Sequence, residues 1–160
     1  MAEVIPVQLS ISDKAPDFDV PRDGGNHVRL ADFAGKPLVI YFYPKDDTTA
    51  CTTESISFTA LAADFAKAGV ALLGVSPDSV KSHDKFVKKH ALSVPLASDE
   101  EKTMATAYGV WREKSMYGRT YMGIVRSTFL IGADGRIAGI WDKVKVAGHA
   151  EAVLAAARGL

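Results

Sequence analysis

One cysteine serves the whole chain, and its position is chemically loaded. Cys51 follows an apolar run, Leu38 to Tyr43, that reads as a buried strand ending at Pro44. After a polar loop, the residues from Cys51 onward show helical periodicity. The thiol therefore stands where a strand ends and a helix begins. The first N–H groups of a helix have no intrahelical partner, and its dipole puts partial positive charge there. Both favour an anion, so a cysteine at such a place tends to be a nucleophilic thiolate at neutral pH. Cys51 shares a helical face with Ser55, Phe58, Leu61, Ala62 and Phe65, at steps of three and four. That face carries the large apolar residues, which predicts Cys51 at the inner edge of the helix start, partly buried and open at one end. Position alone also admits a plain packing role, because free cysteine is among the most buried residue types.

The surroundings favour chemistry. Pro44, Thr48 and Cys51 form Pro-x-x-x-Thr-x-x-Cys, in a strand–loop–helix context. Phe42-Tyr-Pro precedes the loop and Cys51-Thr-Thr-Glu54 follows it. Far downstream stand Tyr117-Gly, Met122-Gly-Ile-Val-Arg126 and Ser127-Thr-Phe-Leu-Ile131. Together these resemble the peroxiredoxins, and within them the bacterioferritin comigratory protein or peroxiredoxin Q branch, from about Ala15 to the C-terminus.

The resemblance implies a thiol-dependent peroxidase acting on hydrogen peroxide and small organic hydroperoxides. It implies Cys51 as nucleophile, becoming sulfenic acid; Thr48 orienting the peroxide; Pro44 shaping the loop and excluding water; and Arg126 holding the thiolate ionised. Helix-terminus physics independently supports only the role of Cys51. Read without the resemblance, Pro44 stops a strand, Thr48 or Thr49 caps a helix or a turn, and Arg126 is a surface charge. Glu54 reads as an acidic first-turn residue complementing the dipole, with membership of the arginine network as a secondary role. Tyr43, Trp111, Met116, Tyr117 and Tyr121 read as core or loop packing.

The chain departs from the branch in one respect. Many members carry a second, resolving cysteine, commonly five residues after the first or in the following helix. Here those places hold Ile56 and, between Lys85 and Lys88, Phe86 and Val87. With a single cysteine no intramolecular disulfide forms. The resemblance then implies re-reduction by an external thiol (glutathione, glutaredoxin, thioredoxin) or by Cys51 of a second molecule. The family includes monomers and homodimers.

Those residues need elements to carry them. Phe18-Asp-Val-Pro and His27-Val-Arg-Leu30, joined through Asp23-Gly-Gly-Asn26, read as a short hairpin. Leu30 to Phe33, followed by Gly35-Lys-Pro, is a turn into the first core strand. Leu38–Tyr43 and Val70–Ser76 are continuously apolar, as in strands buried on both faces. The Cys51 helix runs on to Lys67, and a second helix spans Ser79 to His90 with Val80, His83 or Asp84, and Val87 on one side. Leu96–Ser98 is a short strand, and Ser98-Asp-Glu-Glu101 reads as a capping box for a helix to about Tyr108. Val110 to Val125 reads as irregular. Ser127–Ile131 and Arg136–Trp141 form a hairpin about Gly132-Ala-Asp-Gly135, and Ala150–Arg158 is a closing helix. This order suggests an α/β sheet with parallel and antiparallel parts. It is compatible with a thioredoxin-like fold, a mixed central sheet flanked by helices, which the resemblance implies more strongly. Residues 1–160 read as one domain.

Composition bounds the rest. With 48% apolar and 24% charged residues the chain has the make-up of a soluble globular protein. Its 19 basic and 19 acidic residues cancel, which argues against nucleic-acid or polybasic membrane binding. No apolar run is long enough to span a bilayer, and Met1-Ala-Glu-Val-Ile-Pro lacks a signal core, so a cytoplasmic protein is expected. His27, His83, His90 and His149 show no metal-ligand spacing among themselves or with Cys51, so neither metal nor cofactor is expected. Two other readings compete. A thiol–disulfide oxidoreductase generally uses Cys-x-x-Cys, and Glu54 occupies its fourth position. A non-enzymatic redox sensor or interaction protein would use the same thiolate without turnover.

Overall fold

The computed structural model of the protein describes residues 8–160. Its organising strand is β3 (Leu38–Phe42), every residue of which is buried. It lies in the middle of a five-stranded sheet of order β5-β4-β3-β8-β9. β4 (Ala71–Ser76) and β5 (Leu96–Ser98) run parallel to β3, while β8 (Ser127–Ile131) runs antiparallel on its other side and pairs antiparallel with β9 (Ile137–Trp141). The sheet is thus mixed, as expected. The lead-in joins it as well: Ser12 N donates to Ile137 O and Ile137 N to Asp13 O. The first part of that lead-in, residues 1–7, lies outside the described residues.

Alternation along β3 sorts the core into two layers. Leu38, Ile40 and Phe42 face Val20 and Val28 of the small hairpin β1 (Asp19–Pro21) and β2 (His27–Arg29), with Met104, Tyr108, Val110 and Ile124. Val39, Tyr41 and Tyr43 face the helices α1 (Thr49–Ala60), α2 (Ala62–Lys67), α3 (Val80–His90) and α5 (His149–Arg158). Phe58, Phe65 and Phe86 from three of these helices are almost wholly buried. At about 1.5–3 kcal/mol each for full burial, they fix the helices on this face. Cys51 lies in the same layer.

Four local readings are corrected. The single helix expected from Cys51 to Lys67 breaks at Leu61, which separates α1 from α2. Thr53 and Ser57 hydroxyls donate back to the carbonyls of Thr49 and Thr53, a pattern that bends helices. Ser98 does not cap the next helix. Its hydroxyl donates to Asp78 O, and Asp99 instead accepts from Met104 N, Ala105 N and the Thr103 hydroxyl at the start of α4 (Thr103–Ala107). The turn expected at Leu30–Phe33 is present, as a 3-10 turn. The segment read as irregular is an antiparallel hairpin, β6 (Trp111–Met116) and β7 (Arg119–Ile124). Its two-residue turn, Tyr117-Gly118, has φ of +52° and +75°, as tight hairpin turns require at both central positions. A tyrosine is unusual in the first of these, and the strands are mostly exposed on both faces, so neither turn chemistry nor alternation marked them. Met116, Tyr117 and Tyr121, expected to pack, are exposed.

Candidate active site

Pro44 follows the last residue of the sheet's central ladder. Tyr43 N still donates to Val75 O, and Pro44, with no N–H, ends the pairing. The loop to α1 is anchored on α3. Asp46 accepts from Ser82 and lies 2.7 Å from His83 Nδ1, and Asp47 holds Lys89 and His90. Thr48 is the residue before α1, exposed, with its hydroxyl donating to Lys45 O at 2.9 Å. Cys51 is the third residue of α1, within the turn whose N–H groups lack helical acceptors. It is more enclosed than its sequence position suggested, with 1% of its surface exposed.

Arg126, just before β8, reaches the sulfur from beside the end of β3. Its Nη2 donates to Cys51 Sγ at 3.2 Å and its Nη1 to Glu54 Oε1 at 2.7 Å. One planar fork thus binds two groups of α1 that lie one turn apart. Burial opposes the Arg126 charge, but Glu54 and Cys51 beside it hold its pKa above the usual value. Glu54 is 1% exposed, and burial outweighs the pull of Arg126, pushing its carboxyl up to about 7. Its second oxygen, Oε2, has no hydrogen-bond partner among the described residues. Glu54 is therefore a member of the buried arginine network and not a surface dipole partner. Below the site, Tyr41 Oη and Ser55 Oγ are 3.1 Å apart, and Tyr41 stacks on Phe58 at 4.5 Å. His149 sits against Thr128 Oγ1 at 2.8 Å, and burial, with Arg126 nearby, lowers its pKa to about 4. At neutral pH it adds no charge.

Of the four residues singled out in the sequence, Cys51 and Arg126 are in contact. Pro44 and Thr48 lie in the loop that leads to Cys51, and the Thr48 hydroxyl is turned to its own loop. Sequence reasoning missed the depth of Glu54 and the Asp46–His83 contact. The available signal for the latter was a histidine on the inner side of a helix.

A thiol held at a helix start by a partly buried guanidinium is equipped for nucleophilic attack. A sequence profile described as the AhpC/TSA family matches residues 11–140. The chain belongs to this peroxiredoxin family. Peroxiredoxin Bcp of Xanthomonas campestris is 53% identical over 144 residues, 89% of this chain and 90% of the relative. Peroxiredoxin Bcp of Bacillus subtilis is 47% identical over 141 residues, covering 88% and 90%. The solved X. campestris bacterioferritin comigratory protein, studied for alkyl peroxide reduction as trapped intermediate and ligand complexes, superimposes with a TM-score of 0.86 at 50% identity, over 89% of this chain and 90% of that one. The peroxiredoxin described here has the thioredoxin-like fold of these structures, falls in their Bcp/peroxiredoxin Q branch, and is a thiol-dependent peroxidase. No helix among its described residues is long and apolar enough to cross a membrane.

Proposed function

We propose that Cys51 is the thiol that reduces hydrogen peroxide and small organic hydroperoxides, with Arg126, Thr48 and Pro44 as its partners. The observation that carries this reading is the Arg126 fork, 3.2 Å from Sγ and 2.7 Å from Glu54. The Cys51 thiolate attacks one oxygen of ROOH. An S–O bond forms, the O–O bond breaks, and RO⁻ leaves and takes a proton; sulfur is oxidised to sulfenic acid and the peroxide is reduced. Arg126 stabilises the negative charge as it passes from sulfur to the departing oxygen. The Thr48 hydroxyl, spending its hydrogen on Lys45 O, keeps lone pairs free to accept from the peroxide O–H and set it in line. Pro44 fixes the loop through its locked φ. The near-complete enclosure of Cys51 favours small peroxides over bulky ones.

The single-cysteine chain supplies no second thiol, so an external one closes the cycle. It attacks the sulfenic sulfur, releases water, and a further thiol resolves the mixed disulfide. Glutathione, glutaredoxin and thioredoxin are the candidate donors. That dependence fits a reducing compartment, the cytoplasm. Residues 1–160 act as one domain, as monomer or homodimer. The test is a stopped-flow reaction of reduced protein with near-stoichiometric hydrogen peroxide, followed by intact mass and sulfenic-acid trapping. Oxidation far faster than a free thiol, with one trapped sulfenic acid at Cys51, is expected. Oxidation no faster than free cysteine would overturn the reading.

A further inference from the structure

Asp46 lies midway between Pro44 and Thr48 and is 7% exposed. Its carboxylate collects side-chain donors from two elements. Tyr43 Oη donates to Oδ1 at 2.6 Å, Ser82 Oγ donates to Oδ2 at 2.8 Å, and His83 Nδ1 lies 2.7 Å from Oδ2. Ser82 and His83 belong to α3. The other ring nitrogen of His83, Nε2, lies 2.9 Å from the carbonyl oxygen of Ala97 on β5. Both groups facing the ring are acceptors. A neutral imidazole has one N–H and satisfies one of them; the imidazolium satisfies both. The ring is fully buried, so water does not substitute for either bond. The outer side of the loop is tied to the same helix. Asp47, held at φ +59° in the left-handed region, accepts from Lys89 Nζ at 2.7 Å and lies 2.9 Å from His90 Nε2.

We infer that the buried His83–Asp46 ion pair positions the Pro44–Thr48 loop for peroxide reduction, making His83, in its doubly protonated form, a positioning residue of the Cys51 site. The inference rests on the peroxidase reading and adds to it a group on α3. The titratable groups facing the ring are Asp46 from the loop, Asp78 from the β4–α3 connection and Tyr43 just after β3. Asp84, next on the same helix, is turned away and accepts from Gly24 N. Burial works against the imidazolium, and Asp46, the Ala97 carbonyl and Asp78 outweigh it, so the pKa stands above the ordinary histidine value. The sign follows: the anchor is fully present below the ordinary histidine pKa and is lost as pH rises through the higher folded-state pKa. Tyr43, held well above its own ordinary value by burial, stays protonated in that range.

The test compares second-order rate constants for hydrogen peroxide in the intact chain and in His83→Gln, from about pH 6 to about pH 10. The native chain is expected to lose rate on the alkaline side once each rate is divided by the thiolate fraction read from absorbance at that pH. His83→Gln, neutral throughout, is expected to react about tenfold more slowly near neutrality, the cost of a loosened site, and to lack the alkaline fall. Nitrogen-edited NMR of the native chain should show both ring nitrogens of His83 protonated at neutral pH. It should also show deprotonation with the same midpoint as the fall in rate. That measurement decides the matter if the variant does not fold. A neutral ring at neutral pH, midpoints that differ, or a folded His83→Gln with native rates at every pH overturns the inference while the peroxidase reading stands. A native chain no faster than free cysteine overturns both.

Discussion

At the scale of single residues, the site is a shared guanidinium. Cys51→Ser is expected to abolish peroxide reduction with the fold intact by circular dichroism, since the sulfur is the only nucleophile of the fork. Arg126→Ala removes a charge-assisted bond of about 1.5–3 kcal/mol, and the rate constant for peroxide should fall roughly tenfold to a hundredfold at about 1.4 kcal/mol per decade. Arg126→Lys should fall between, because a point charge does not replace a fork that binds Cys51 and Glu54 at once. Glu54 makes a separate prediction about stability. Its carboxyl is raised from 4.5 to about 7 by burial, so the folded state holds the proton more tightly than the unfolded state. That contribution is complete below the unfolded pKa and is lost as pH rises through the folded one. Urea unfolding of the native chain against Glu54→Gln should show the balance moving toward Gln between these two values, by on the order of 3 kcal/mol, and then levelling off. An unchanged difference across that window would contradict the raised pKa. Cys51 was legible from its place at a helix start, whereas Arg126 carried no local physical signal and came from motif resemblance. Glu54 was misleading because α1 starts at Thr49, earlier than expected, which puts Glu54 sixth in the helix and on its buried face instead of in the first turn.

The elements that carry these residues differ in how plainly the chain announces them. β3 and β4 are continuous apolar runs, and burial on both faces of a sheet leaves no other composition open to them. The β6–β7 hairpin has no such constraint, so its alternation is blurred and its tight turn is made by Tyr117-Gly118 instead of the usual Asn-Gly. Closeness within the sheet also makes a prediction. A Cβ at Gly74 of β4 would stand 2.7 Å from the Tyr41 ring and 2.8 Å from Leu96. Gly74→Ala should destabilise by about 1–3 kcal/mol through overpacking, measured as a lowered urea midpoint. Asp99, which receives two backbone N–H groups and a hydroxyl at the start of α4, should cost about 0.5–2 kcal/mol when replaced by alanine. A null result there would mean that α4 is held by Met104 and Ala105 packing alone.

For the molecule as a whole, a single buried thiol leaves no route to an internal disulfide. Oxidation by one equivalent of peroxide should add one oxygen to the intact mass, with no loss of two hydrogens. Steady-state turnover should vanish without added thiol and rise with its concentration. A mass two units lighter under non-reducing conditions, in a monomer, would contradict a chain with one cysteine and point to modification elsewhere. The enclosure of Cys51 also gives its oxidised form a lifetime. A sulfur 1% exposed, with no neighbour able to strip its oxygen, waits for a visitor. When visitors are scarce and peroxide is abundant, some copies take a second oxygen and are lost to the irreversible sulfinic state. The pace of the population is then set by deliveries from outside, and its tally of spent copies becomes a chemical memory of how long supply fell short.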